Sequence, residues 1–137
     1  MRDTMKQDRT GRTQLHYAAS EGNIDLVHSL IVDGADVNAQ DNEGWSPLHF
    51  AAQANSAECL AELLRAGANV DAKDKFGNTP LHEAVFSSRG AGQGIELLRN
   101  AGADATTANL HGVSPVMLAR TIANFDVARF FSDMDAR

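Results

Sequence analysis

Residues 41–73 read DNEGWSPLHFAAQANSAECLAELLRAGANVDAK, and residue 74 starts the phrase again with DKFGNTPLHEAV. Upstream, Asp8 opens DRTGRTQLHYAASEGNIDLVHSLIVDGADVNAQ; downstream, Asn109 opens NLHGVSPVMLARTIANFDVARFF. The four starts, at 8, 41, 74 and 109, are spaced 33, 33 and 35 residues. Gly11, Gly44, Gly77 and Gly112 recur in register, as do QLH, PLH, PLH and PVM, and then Gly34, Gly67 and Gly102. A fixed period of this size means one supersecondary unit repeated along the chain, because a single unit cannot bury its own apolar face and needs its neighbours.

The physics of one unit is legible in its residues. Thr13, Ser46, Thr79 and Ser114 are N-cap residues, whose hydroxyl satisfies an orphan helix N–H. Pro47, Pro80 and Pro115 follow three of them, at the position where a missing N–H is harmless. A short first helix then runs through HYAAS, HFAAQ, HEAVF or MLART. The pairs Ala18–Ala19 and Ala51–Ala52 let neighbouring helices approach closely. A second helix starts after Asn23, Ser56 or Asn124, with Asp25, Glu58 or Asp126 near the positive end of its dipole. Gly34, Gly67 and Gly102 end the second helices, and an extended, hairpin-like loop leads to the next unit. The last helix is expected over Phe125–Met134, with SDMDAR as a solvated cap.

The period and the phrases TPLHEA, SPLHFAA, DGADVNA and AGANVDA resemble ankyrin repeats over about residues 8–131. The departures are Gln14 for proline, Val116–Met117 for Leu–His, and a third unit two residues longer than the first two. The resemblance implies an all-α solenoid of four helix-turn-helix units with hairpin-like loops. That is a single domain over residues 1–137, with units 8–40, 41–73, 74–108 and 109–137.

Composition agrees with a globular chain, at 43% hydrophobic and 22% charged residues. The net charge of −6 argues against nucleic acid, which requires clustered Lys and Arg. Cys59 is the only cysteine, which excludes an intrachain disulfide and CxxC metal chemistry. MRDTMKQDRT has no apolar core for a signal peptide, and no apolar run approaches a membrane span, so the expectation is a cytoplasmic protein.

His16, His49 and His82 invite a metal reading. Stacked helices lie roughly 8–10 Å apart, whereas zinc ligands must each reach to about 2 Å, so neighbouring copies are too distant to share an ion. Each imidazole is instead expected to tie its own turn to its own helix. Cys59 has a core address, and no nucleophile–base arrangement appears. No enzymatic activity, cofactor or metal is therefore expected.

The stretch Val85–Leu98, VFSSRGAGQGIELL, has three glycines ahead of a helix. It lacks the Lys and hydroxyl of a P-loop and comes after a helix where a dinucleotide fold requires a strand. It reads as an enlarged loop between helices, with a small-molecule or anion sensor at Arg89–Gly94 as the alternative of another class.

The resemblance to ankyrin stacks implies protein binding through the hairpin tips and the adjoining face of the first helices. By register, partner contacts are expected at Arg9, Arg12, Asn42, Glu43, Trp45, Lys75, Phe76, Asn78 and His111 on the tips. Gln53, Phe86, Ser87 and Arg89 are expected on the helix face and the loop beside it. Trp45, Phe76 and Phe86 are expected as exposed aromatic anchors. The phrases GVSPVMLARTIANFDVARFF and HEAVFSSRGAGQGIELL look like small stand-alone bacterial ankyrin proteins, some of which resemble toxin-neutralising immunity proteins. That likeness implies a protein partner, a bacterial toxin, for a chain that is a monomer when free and has no membrane partner. A general scaffold or regulatory adaptor is the alternative.

Overall fold

One side chain builds the hairpin that opens each repeat. Asp41 Oδ1 accepts the N–H of Glu43 at 2.9 Å and of Trp45 at 2.8 Å, while Asp41 N–H donates to the Trp45 carbonyl at 2.9 Å. The same set recurs at Asp8, Asp74 and Asn109. A short polar side chain that bonds the backbone ahead of it is the mechanism of an Asx turn. These interactions are seen in a computed structural model that describes residues 3–122 and 126–134.

The hairpins lead into first helices α1 (Gln14–Ser20), α3 (Pro47–Gln53), α5 (Pro80–Ser87) and α7 (Pro115–Thr121). The second helices are α2 (Ile24–Val32), α4 (Ala57–Arg65) and α6 (Gln93–Asn100). Among the described residues there is no strand. Ser46, Thr79 and Ser114 accept the N–H three residues ahead, and each precedes a proline at the first helical turn. Thr13 precedes Gln14 rather than proline, and its Oγ1 lies 3.0 Å from His16 Nδ1.

The first helices form one layer, α1 on α3 on α5 on α7, and the second helices form another, α2 on α4 on α6. Between the layers runs one continuous core. Leu15, Ala18, Val27 and Leu30 supply it in the first unit, Leu48, Ala51, Leu60 and Leu63 in the second, and Leu81, Val85, Ile95 and Leu98 in the third. Cys59 is fully buried in this core, and burial pushes its thiol pKa up. That suits a small hydrophobe rather than a nucleophile.

The histidines do more than the sequence suggests. Nδ1 of His16, His49 and His82 accepts the N–H of Thr13, Ser46 and Thr79 at 2.9, 3.1 and 3.0 Å. An amide N–H can only donate, so Nδ1 is unprotonated and the ring proton sits on Nε2. Nε2–H then donates to a carbonyl of the next hairpin: Trp45, Asn78 and Val113, each at 2.9 Å. Each imidazole therefore ties its own turn to the following unit, with both nitrogens occupied. The fourth unit has Met117 at this position, half exposed, with no further hairpin beyond it among the described residues.

The hairpins also touch directly. Asn42 N–H donates to the Thr10 carbonyl at 2.8 Å, and Lys75 N–H to the Glu43 carbonyl at 3.0 Å. Gly44 is held at φ 81, and a Cβ added there would stand 2.8 Å from Asp74 Cα. Glycine is required at this tip both by the left-handed backbone and by the approach of the next hairpin.

The chain ends differently from the expectation. Of the helix anticipated over Phe125–Met134, Phe125 and the cap Asn124 lie outside the described residues, as does the tail from residue 135, while Asp126 and Val127 are not helical. The helix that forms is a 3-10 helix, Ala128–Met134, kinked at Phe131. Val127 and Phe131 are buried in the core, and Phe130 and Met134 pack against it from partly exposed positions. Arg99 of α6 ties it down through a two-pronged ion pair with Asp133, both contacts 2.8 Å, and a bond to the Phe130 carbonyl.

Removing one imidazole leaves two polar backbone groups unpaired inside the stack. His49→Ala should cost about 2–4 kcal/mol in urea unfolding, whereas Met117→His, with no hairpin to reach among the described residues, should change stability by less than about 0.5 kcal/mol. Burial lowers the pKa of all three histidines below the ordinary 6.5. A proton taken up by the unfolded chain is refused by the folded one, so this stabilisation is complete above pH 6.5 and is lost as pH falls through the lowered folded values. Glu83 on α5 acts in the opposite sense. Burial, with Asp74 nearby, raises it from 4.5 to about 7, so its contribution is complete below 4.5 and fades as pH rises through 7. Glu83→Gln should therefore raise the urea midpoint more at pH 8 than at pH 5. In that variant the midpoint should fall on acidification from pH 7.5 to pH 5.5.

Candidate functional site

The face made by the hairpins and first helices carries two depressions that meet at Gln53. One is lined by Arg12, Ser20, Asp41, Glu43, Trp45, Phe50 and Gln53. The other, about 550 Å³, is lined by Gln53, Ala54, Asn55, Phe86, Ser87 and Arg89. The register explains the juxtaposition. Ser20, Gln53 and Phe86 are 33 residues apart and stand at the ends of the first helices of successive units, so stacking sets them in a row.

The first depression rests on a ladder of rings and charge. The Trp45 ring lies 4.8 Å from that of Phe50 and 5.5 Å from that of His49. The Arg12 guanidinium stands 4.9 Å from the centre of the Phe50 ring and donates through Nε to Asp41 Oδ2 at 3.2 Å. The Asp41 side chain is almost completely buried, so this ion pair is screened little on that side. Trp45 thus corrects the expectation of an exposed anchor. Its N–H is held by Asp41, and its ring folds down onto its own helix, where apolar area can be covered.

The second depression is open and differs in chemistry: it offers one aromatic ring, one cation and three polar side chains. Phe86, at the end of α5, is 73% exposed. Asn55 and Arg89 enter from the loops after α3 and α5, in left-handed conformations at φ 58 and φ 50. Asn55 Nδ2 donates to the Ser88 carbonyl at 3.4 Å and joins the two loops.

The glycine-rich loop is explained by the residues that cover it. A Cβ on Gly92 would lie 2.1 Å from Phe130 Cε1, so the ring occupies the space a side chain would need. Arg129 donates to the Gly90 carbonyl at 3.1 Å. The loop amides turn inward, Gly90 N–H to Ser88 Oγ and Ala91 N–H to the Ser88 carbonyl. The far part of the loop therefore packs on the terminal 3-10 helix, while its near part, Ser87 and Arg89, faces the second depression.

Of the residues expected on the binding face, Arg12, Glu43, Trp45 and Gln53 gather at the first depression, and Gln53, Phe86, Ser87 and Arg89 at the second. Phe76 stands outside both, half exposed, with Lys75 5.2 Å from its ring centre. Lys75 also pairs with Glu43. Asn42 and Asn78 join hairpins, Asn42 Nδ2 donating to the Arg9 carbonyl and Asn78 Oδ1 accepting from Asn109. Arg9 and His111 are exposed on the first and last tips. Sequence reasoning passes over Asp41, Phe50 and Asn55. For Asn55 a signal exists, since it occupies the register position of Gly22, and both have positive φ.

Paired layers of short helices, tied hairpin to helix along the chain, define a helical repeat solenoid. Residues 15–109, more than half of the chain, match the family described as ankyrin repeats (3 copies), and the chain belongs to that family. No curated protein matches it. Ankyrin-repeat proteins are generally non-catalytic modules that bind other proteins. No helix among the described residues is long and apolar enough to cross a membrane.

Filling the space under Phe130 should detach the end of the stack. Gly92→Ala should lower stability by about 1–3 kcal/mol in thermal or urea unfolding, and Gly92→Ala combined with Phe130→Ala should restore part of that loss. A single Gly92→Ala variant as stable as the parent chain would contradict the contact.

Proposed function

We propose that this chain is a non-catalytic binding module that seats a protein partner along the first-helix face, from the Trp45 depression through Gln53 to Phe86 and Arg89. The partner, in this reading, is a toxin that the chain neutralises by covering it. The observation that carries the binding face is Phe86, a large aromatic side chain 73% exposed beside an open depression. Exposed aromatics that adjoin concave surface are the usual anchors of protein interfaces. The toxin reading is supported by the likeness of the third and fourth units to small bacterial ankyrin proteins. It is supported as well by the net charge of −6, which would speed encounter with a basic partner.

Two measurements test the reading. The toxin reading expects a toxic protein to be encoded beside this gene and its arrest of growth to be relieved when this chain is co-expressed; the lack of such a neighbour, or growth arrest that this chain leaves unchanged, would contradict the toxin assignment. Phe86→Ala should weaken affinity for the partner by about 2 kcal/mol, near thirtyfold, with thermal stability preserved. An unchanged Kd would contradict the binding face.

A further inference from the structure

Asn55 and Arg89 are the two non-glycine residues with positive φ among the described residues, and both line the depression beside Phe86. Asparagine tolerates the left-handed region better than most non-glycine residues, and Asn55 also gains a bond to the Ser88 carbonyl of the next unit's loop. Arginine has no such compensation, and glycine would fit φ 50 with less strain. Strain held beside an open surface calls for a reason in the side chain itself. Two other cations on this face are engaged, Arg12 with Asp41 and Lys75 with Glu43. The Arg89 side chain, exposed, makes no hydrogen bond or ion pair among the described residues. Its planar fork of donors suits a carboxylate, which it can hold by two parallel bonds. Phe86 offers an apolar face next to it, and Gln53, Asn55 and Ser87 supply donors and acceptors for a peptide backbone.

We infer that this depression takes a partner segment in which an acidic side chain stands next to a large apolar one. Arg89 pairs with the carboxylate, and Phe86 covers the apolar side chain. This rests on the binding face proposed above and names what that face reads. It is compatible with the acidic charge of the whole chain, which acts on approach, whereas Arg89 acts at contact once water has been displaced.

The test uses random dodecapeptides displayed on phage, selected against the full chain. The selected peptides should carry Asp or Glu adjacent to Phe, Trp or Leu. A selected peptide should bind Arg89→Gly at least about tenfold more weakly, and Arg89→Lys with an intermediate loss. The melting temperature of Arg89→Gly should equal or exceed that of the parent, because the strain is relieved. Added salt should weaken binding to the parent chain more than to Arg89→Gly. Recovery of no binding peptide, peptides without acidic residues, or equal affinity for the parent and Arg89→Gly would each overturn the inference. Peptides that lose affinity on Phe86→Ala but are indifferent to Arg89→Gly would keep the face and remove the carboxylate. Peptides indifferent to both changes would remove the face as well.

Discussion

The stack depends on an imidazole that has no free nitrogen. In three successive units the ring accepts the N–H at its own helix entrance and donates to a carbonyl of the next hairpin. Both bonds lie inside the stack, so neither partner can readily fall back on water. The next hairpin is thereby fixed relative to the previous helix, and its Asp or Asn closes the turn that carries the carbonyl. Helix cap, turn and inter-unit contact are one cooperative arrangement repeated along the chain. Nearest-neighbour coupling of this kind is what gives a solenoid its stability, because each unit is held by the one before it. It also sets the pH response, since a proton on Nδ1 would place one N–H against another.

Against this regular frame, what is particular to the chain lies where the repeat is broken. Gln53 and Phe86 stand where the first unit has Ser20, so two open depressions form in place of a uniform row of small polar residues. The third unit carries two extra residues, and its enlarged loop serves two ends. Gly90 and Gly92 accept the terminal 3-10 helix, whose Phe130 lies over Gly92. Ser87 and Arg89 are left facing the depression. A rigid scaffold with irregular loops is a common way to present a binding surface, because the scaffold bears the folding energy and the loops are free to vary.

Much of this is legible in the residues. The 33-residue period, the Ser/Thr caps before proline and the glycine-closed second helices are local signals, each with its own mechanism. The face to which Gln53 and Phe86 belong follows from register, whereas Arg89 sits in the enlarged loop, which has no counterpart in the other units. Contacts between units are a different matter. His49 reads as serving its own turn because the sequence does not show that the Asn78 carbonyl comes within 2.9 Å. Trp45 reads as an exposed tip because its covering partners, Phe50 and the Arg12–Asp41 pair, come from a helix and from two successive hairpins. The terminal helix reads as another second helix. Its described part is instead a 3-10 segment kinked at Phe131, and Phe130 has a place only because Gly92 leaves one. Asn55 is recognisable in principle, by comparison with Gly22 at the same register, but a left-handed asparagine carries no mark of its own in one sequence.

The central claim is that binding is confined to the first-helix face, at the point where the two depressions meet. Its most direct test is site-specific photocrosslinking in the native cell, with a photoreactive residue at Gln53 in one variant and at Val32 in another. Val32 is 70% exposed but lies on α2, in the layer of second helices. The account predicts a discrete protein adduct from position 53 and none from position 32. An adduct from position 32 with none from position 53 would contradict it.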